Sequence, residues 1–330
     1  MKVNILFEIK ENVLGGGNQF LKLLKKKFIE MGIYADLADA EIVLFNSHQN
    51  MEVVIDAKYR YPDKIFIHRV DGPIRLYNHM KDKRDNIVNS TNRYIADGTI
   101  FQSIWSKNKN YELGLPKGLF ETIICNCADE DYFNMRNWTS QMAINRKIKL
   151  IATSWSNNIK KGFRVYKYLD EHLDWNRYEM IFVGNSPIDF DNIKVISPVC
   201  SKELAELLKQ NDIYISASQC DPCSNSVIEA LSCGLPALCF NDGGHPELVK
   251  RGGRLFNHKE EIPGLLEAIV KDYEQFHNQI EVFSSDEVAQ KYYDFFLDIY
   301  NADKAGKIST KKISAIKAMI LKQLVRYWSK

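Results

Sequence analysis

Short runs of β-branched and aromatic residues alternate with stretches of helical periodicity along most of this chain. The first run, at residues 3–9, is broken by glycines at 15–17 and followed by an amphipathic helix. Further strands are predicted at residues 41–46, 64–70, 98–103, 121–126, 149–154, 179–184, 192–196, 213–216 and 236–240. This alternation is typical of α/β folds with parallel sheets.

A polar, weakly periodic stretch interrupts the alternation at residues 132–147, before a strong strand restarts it. The chain is 330 residues long, about twice the usual length of one domain. We therefore predict an interdomain linker in this stretch. The predicted organisation is two α/β domains, at residues 1–140 and 141–303, followed by a helical tail at 304–330.

The tail holds eight basic residues and no acidic one, although the whole chain carries a formal charge of only +2. Without the tail, 36 of the 44 basic residues remain against 42 acidic ones. This balance gives no reason to expect a nucleic-acid partner. Two alternatives stay open for the tail. It could lie as an interfacial helix on an anionic membrane, or it could pack back across the linker with its lysines solvated.

Seven cysteines in a chain of this length do not predict a secreted disulfide scaffold. Cys220 and Cys223 have C-x2-C spacing, but no second pair completes a zinc site, so we expect no metal. The first ten residues lack the features of a signal peptide, and no run approaches the roughly 18 apolar residues of a membrane span. A cytoplasmic location is therefore expected.

The most informative segment is 221–249, DPCSNSVIEALSCGLPALCFNDGGHPELV. Ser226 and Glu229 have the spacing of a capping box, in which both side chains would satisfy amides at a helix start. Alternatively, Ser224, Asn225 and Ser226 lead into a helix N-terminus that favours a phosphate. Glu229 would then be placed to bind a ribose diol. The residues alone leave both interpretations open.

This segment resembles retaining glycosyltransferases of family 4, which have the GT-B fold. Asp221, seven further residues and Glu229 match the family's E-x7-E motif, with Asp in place of the usual first Glu. The resemblance implies that Asp221 contacts hydroxyls of the donor sugar and that Glu229 binds the ribose. The shorter Asp221 side chain could change the preference for the donor sugar.

Other family landmarks follow in the same order. Gly16, Gly17 and Asn18 resemble the glycine-rich loop after the first strand, and the Asn-Cys-Ala-Asp run at 126–129 resembles the family's Asn-Gly-Val-Asp. The segment 153–163 resembles the one that supplies an Arg and a Lys to the donor diphosphate. Lys161 matches the Lys, but the Arg has no counterpart. The remaining candidate donor-binding residues are Ser154, Lys160, Gly184 and Asn185.

In the first domain, His68 and Asp71 stand at the end of a predicted strand. Strand ends of open α/β sheets face the ligand crevice. The resemblance implies a residue near the reacting sugar here, and both are candidate catalytic residues. His68 could instead be a satisfied core histidine and Asp71 a turn residue, and Asp71 is favoured for the cleft.

The resemblance implies two Rossmann-like domains facing an interdomain cleft, with the acceptor on the first and a nucleotide-sugar donor on the second. The expected reaction moves a sugar, with a UDP-sugar as the commonest family donor, to a glycan or glycolipid acceptor with retention of configuration. No cofactor or metal is expected. The alternatives are a GT-B sugar-nucleotide epimerase or phosphorylase, and a non-catalytic glycan- or nucleotide-binding protein, which the missing Arg would explain.

Overall fold

The computed structural model describes residues 1–10, 16–136 and 146–329. Contacts divide the chain into two compact units. The N-terminal unit comprises Met1–Val13, Gly17–Cys125 and Ser285–Lys330, and the C-terminal unit comprises Leu14–Gly16 and Asn126–Ser284. The predicted domain boundary between residues 140 and 141 and the predicted break at Gly15 lie outside the described residues.

The N-terminal unit contains a sheet of five parallel strands in the order β1-β2-β3-β4-β5. These strands are β1 Val3–Ile5, β2 Ile42–Asn46, β3 Ile65–Val70, β4 Gly98–Phe101 and β5 Phe120–Ile123. Between and beside them lie α1 Gly16–Glu30, α2 Met51–Arg60, α3 Ile74–Tyr77, α4 Arg84–Ile95 and α5 Ile104–Glu112. The strands β1 to β4 are almost wholly buried, as the apolar runs in the sequence predict.

The C-terminal unit contains a second parallel sheet, with six strands in the order β11-β10-β9-β6-β7-β8. Its strands are β6 Ile148–Ser154, β7 Tyr178–Gly184, β8 Lys194–Ile196, β9 Ile213–Ser216, β10 Ala237–Phe240 and β11 Gly253–Phe256. Its α-helices are α6 Phe163–His172, α7 Ser201–Lys209, α8 Asn225–Ser232, α9 His245–Val249, α10 Ile262–Lys271 and α11 Tyr273–Asn278.

Helix α12, Ser285–Lys304, belongs to the N-terminal unit, although the sequence analysis assigned residues 285–303 to the C-terminal domain. The ring of Phe296 lies 6.0 Å from that of Phe28 on α1. Gly98 makes room for α12, since a Cβ there would lie 2.5 Å from the Cδ1 atom of Ile299. An amphipathic stripe shows that a helix is covered on one face, but it does not show which domain covers it.

Helix α13, Ala315–Trp328, forms the basic tail and packs against α2 and α4. The sequence analysis left two alternatives open for the tail, an interfacial helix on a membrane and a helix that packs back across the linker. The helix packs onto the N-terminal unit, where Lys322 forms an ion pair with Asp56 at 2.8 Å and Arg326 forms one with Glu52 at 2.5 Å. Membrane contact through this helix stays a prediction. No helix in the described ranges is both long enough and apolar enough to span a bilayer.

Candidate functional site

Three adjacent strands of the C-terminal sheet, β7, β6 and β9, carry most of the predicted donor-binding residues. Asn185 follows β7, Lys161 follows β6 and Asp221 follows β9. Because all three strands are parallel, the loops after them lie at one edge of the sheet, where open α/β sheets bind their ligands. The fold therefore brings these residues to one place although they are far apart in the sequence.

The loops after β6 and β9 are held tightly together. Gly162 has a positive φ of 78°, and a Cβ there would lie 2.2 Å from the carbonyl oxygen of Ala217. Only glycine fits such an approach. Gln219 donates its backbone N–H to the carbonyl oxygen of Lys160 at 2.7 Å, and Lys160 Nζ donates to Gln219 Oε1 at 3.3 Å. Lys160 is thus engaged with the opposite loop.

Lys161 and Asp221 form an ion pair, with Nζ 3.3 Å from Oδ2 and only 18% and 14% of the side chains exposed. Burial opposes ionisation of Asp221, but Lys161 and the backbone N–H of Cys223 outweigh it, so the pKa of this carboxyl is lowered. Asp221 is therefore a carboxylate at neutral pH. The pair thus places a carboxylate, which can accept hydrogen bonds from hydroxyl groups, directly beside a cation.

Helix α8 begins immediately after this pair. Its N-cap is Ser224, and the side chain of this cap accepts no hydrogen bond from the first turn. The hydroxyl groups of Ser224 and Ser226 lie 3.1 Å apart and bond to each other. Amides at such a helix start, together with the helix dipole, favour an anionic group.

Glu229 is the fifth residue of α8, so it is too far along the helix for the capping box with Ser226. That alternative is not formed, because the helix begins at Asn225 rather than after Ser226. Glu229 is half-buried, and burial raises the pKa of its carboxyl to about 8. No hydrogen bond from the described residues offsets this burial. A carboxyl group kept in such a position is unusual for a purely structural residue.

Ser154 and Asn185 shape the neighbouring loops. The Ser154 hydroxyl donates to the carbonyl oxygen of Ser156 at 2.9 Å and so closes a turn after β6. Asn185 Nδ2 donates to the carbonyl oxygen of Trp155 at 2.8 Å. Gly184, with a φ of 127°, permits the close approach of these two loops, since a Cβ there would lie 1.9 Å from the Ser154 carbonyl oxygen. Ser154, Gly184 and Asn185 thus organise the site edge through backbone contacts.

The predicted glycine loop is described from Gly16 onward. Gly16 groups with the C-terminal unit, and its carbonyl oxygen accepts a hydrogen bond from Asn225 Nδ2 at 2.8 Å. Around Gly17, a Cβ would meet no other atom of the described residues within 4 Å. Asn18 is buried in the N-terminal unit, and its side-chain amide bonds to both backbone groups of Lys10. The Asn18 amide thus ties α1 to the backbone of Lys10.

In the N-terminal unit, Asp71 follows β3 at the carboxyl edge of its sheet. Its Oδ1 atom accepts hydrogen bonds from Arg69 Nη1 at 2.9 Å and from Gln102 Nε2. Its side chain is 28% exposed. Arg69 is itself buried and bonds Asn46 Oδ1 at 2.6 Å. Asp71 is therefore a fixed and accessible carboxylate.

His68 has the surroundings of a core histidine. It is fully buried and stacks on Phe45 with ring centroids 4.3 Å apart. Its ring nitrogens lie within hydrogen-bond distance of the Ser47 carbonyl oxygen and of Asn92 Nδ2. Burial lowers its pKa to about 3, so the ring is neutral. This geometry favours the structural alternative for His68 and leaves Asp71 as the candidate catalytic residue of this unit.

The sequence analysis assigned no role to the residues that hold the backbone of Asp221. Gly244 donates its N–H to the Asp221 carbonyl oxygen at 2.8 Å. Gly243 has a φ of 64°, and a Cβ there would lie 2.3 Å from the same oxygen. The N–H of Cys220, itself at a φ of 53°, donates to Asp242 Oδ2 at 2.9 Å. The Asp-Gly-Gly run at 242–244 was the available signal, since paired glycines mark a close backbone approach.

The fold is similar to that of several solved GT-B glycosyltransferases. The structure of Anabaena Alr3699/HepE in complex with UDP covers 93% of this chain and 100% of its own, with a TM-score of 0.63 and 14% identity. The structure of the same protein with UDP-glucose gives a TM-score of 0.63 at 13% identity, covering 93% of this chain and 99% of its own. The catalytic domain of starch synthase IV from Arabidopsis thaliana, bound to ADP and acarbose, gives a TM-score of 0.58 at 11% identity, covering 87% of this chain and 79% of its own. The predicted GT-B class is thereby confirmed.

Sequence comparison finds similarity over part of the chain. Residues 190–294 match the family model "Glycosyl transferases group 1", which confirms the predicted resemblance. N-acetyl-alpha-D-glucosaminyl L-malate synthase of Bacillus anthracis is 29% identical over 227 residues, 61% of this chain and 59% of that protein. A probable sucrose-phosphate synthase of Thermosipho melanesiensis is 26% identical over 148 residues, covering 43% of this chain and 34% of that protein. The chain thus spans less than two thirds of the length of either relative.

Proposed function

We propose that this chain is a glycosyltransferase that moves a sugar from a nucleotide-sugar donor to a hydroxyl group of a glycan or glycolipid acceptor, with retention of anomeric configuration. The C-terminal unit binds the donor, and the N-terminal unit binds the acceptor. The observation that carries this proposal is Glu229, on the helix that begins beside the Lys161–Asp221 pair. Its carboxyl group is half-buried, and no hydrogen bond from the described part of the chain offsets that burial.

Each group suits one part of the donor. Lys161 and the amides at the start of α8 neutralise the diphosphate, whose charge increases as it leaves. Glu229 accepts hydrogen bonds from the ribose hydroxyl groups. These bonds replace the solvation that the carboxyl group loses on burial. Asp221 accepts a hydrogen bond from a hydroxyl group of the donor sugar. Its orientation is fixed by Lys161 and by the N–H of Cys223.

The proposed reaction needs no nucleophile from the protein. The bond between the anomeric carbon and the diphosphate oxygen breaks, and the acceptor oxygen forms a new bond to that carbon on the same face. The acceptor proton passes to the departing diphosphate. Asp71 serves the reacting sugar in this proposal, since its negative charge would stabilise the positive charge that develops on the ring.

UDP is the nucleotide that we propose for the donor. Two of the similar structures contain UDP or UDP-glucose, and the first sequence relative is named N-acetyl-alpha-D-glucosaminyl L-malate synthase. One observation supports a second candidate, a nucleotide-binding protein without transferase activity. The position of the family's diphosphate-binding Arg falls in the run Ser154-Trp155-Ser156, and Lys160 is already engaged with Gln219.

Nucleotide release distinguishes the two candidates. The full chain is incubated with UDP-, GDP- and ADP-sugars, and free nucleotide is measured with and without simple glycosides as acceptors. A transferase releases UDP from at least one UDP-sugar and does so faster with an acceptor. The Asp221→Asn variant should lose this release while still binding UDP. UDP binding without release from any donor would favour the binding protein instead.

A further inference from the structure

A cavity of about 270 Å³ lies within the N-terminal unit, and its lining includes neither Asp71 nor any residue assigned to the donor. Its walls include Gly98 and Thr99 at the start of β4, the loop 116–120 before β5, and residues 308–311 between α12 and α13. Asp71 follows the carboxyl end of β3, whereas this cavity opens at the amino ends of the parallel strands. The two sites therefore lie at opposite edges of one sheet.

Three cations line this cavity, namely Arg93, Lys117 and Lys311. Within the described ranges, none of their charged side-chain nitrogens lies within 4.0 Å of a carboxylate oxygen. Lys311 is half-buried, and its Nζ atom donates to the carbonyl oxygen of Asn92 at 3.2 Å. Burial lowers the pKa of Lys311, because keeping its ammonium group charged in this position costs free energy.

Asp97 is the acidic residue of the cavity wall, and it is already neutralised. Its Oδ2 atom accepts hydrogen bonds from the N–H of Phe66 at 2.9 Å and from Lys58 Nζ at 3.3 Å. Its Oδ1 atom accepts a hydrogen bond from the backbone N–H of Lys311 at 2.8 Å. Lys58 is fully buried, so the loss of this ion pair would leave an uncompensated buried charge. Among the residues that the structure describes, Arg93 and Lys117 thus have no ion-pair partner, and Lys311 has only the electrostatic attraction of Asp97, which is already paired with Lys58.

We propose that this cavity binds a small organic phosphate of about the size of a hexose phosphate. The dianionic phosphate group pairs with Arg93, Lys117 and Lys311, because several cations around one space favour a doubly charged oxyanion. The Ser309 hydroxyl and the backbone of the 116–120 loop remain for the hydroxyl groups of the ligand. The volume is just below the range of about 300 to 1,000 Å³ that is usual for small-molecule sites, so it suits a small ligand better than a whole nucleotide sugar.

Calorimetric titration of the full chain in excess UDP tests this site separately from any nucleotide site. The ligands are glucose 6-phosphate, inorganic phosphate and uncharged glucose. Glucose 6-phosphate should bind one per chain, inorganic phosphate should compete with it more weakly, and glucose should not bind. The same titration without UDP should give the same affinity, because the site does not depend on the proposed transferase function.

Variants locate the binding. Arg93→Gln with Lys117→Gln should weaken glucose 6-phosphate binding by about tenfold or more, since both residues are exposed and their loss leaves the core intact. Lys194→Gln with Lys202→Gln, the same loss of two positive charges at exposed positions of the other unit, should have no effect. The proposal is overturned if neither phosphate binds at millimolar concentration, or if the double variant binds as well as the unaltered chain.

Discussion

The carboxyl group of Glu229 gives the sharpest prediction, because it makes stability and nucleotide binding respond to pH in opposite directions. Its pKa rises from 4.5 to about 8 on folding. Between these values the unfolded chain has lost the proton that the folded chain keeps, so stability falls as pH rises. At 1.36 kcal/mol per pKa unit, this one group removes about 3 kcal/mol of stability between pH 5 and pH 8.

Glu229→Gln keeps the shape of the side chain and cannot ionise. In urea denaturation without nucleotide, the variant should lack this loss and should be more stable than the unaltered chain at pH 8 by about 3 kcal/mol. UDP binding should show the opposite trend. The affinity of the unaltered chain should rise with pH up to about 8, as the carboxylate that accepts the ribose hydroxyls forms.

Calorimetric titration with UDP completes the test. The Glu229→Gln variant should bind UDP about tenfold more weakly at pH 8, with little pH dependence left. Glu206→Gln, the same chemical change at an exposed position of α7, is the matched control and should alter neither stability nor UDP binding. If Glu229→Gln lowered stability and left UDP binding unchanged, the carboxyl would be structural and the reasoning would be refuted.

Three further changes have defined outcomes. Lys161→Met should weaken UDP binding by about tenfold in calorimetry and raise the pKa of Asp221, because the cation of the pair is gone. An unchanged affinity would show that Lys161 does not bind the nucleotide. Gly184→Ala should lower the free energy of unfolding by more than about 3 kcal/mol in urea denaturation, since its Cβ would lie 1.9 Å from a carbonyl oxygen. The control Gly264→Ala, in open space on a helix, should leave this free energy unchanged or raise it. Leu321→Asp should cost about 3 to 5 kcal/mol, because Leu321 is 1% exposed in the contact of α13 with α2 and α4; an unchanged Tm would mean that α13 contributes nothing to the fold.

The sequence predicted the two parallel sheets well, because buried strands of such sheets are continuous apolar runs. The strand β11 was missed, since it is short, begins with a glycine and carries an exposed Arg254. The first predicted strand was too long, because the ladder with β2 ends at Ile5. The placement of α12 and α13 could not be predicted, since their partners are known only once the chain is folded.

For the candidate site, the motif around Asp221 and Glu229 was visible because helix start, carboxylates and glycines lie within one short segment. The capping-box alternative could be excluded only by the helix start at Asn225, since a shift of one or two residues changes which amides are free. The contacts of Asp71 with Arg69 and Gln102 were not visible, because they depend on how neighbouring strands pair.

The most direct test of the proposed function is the configuration of the product. The full chain is given a UDP-sugar that it cleaves together with an acceptor, and proton NMR follows the anomeric signal of the new glycoside. We predict an α-linked product from an α-linked donor, formed in step with UDP, and no product from Asp221→Asn. A β-linked product would contradict retention, and the absence of any product from the UDP-sugars that bind would contradict the proposed transferase.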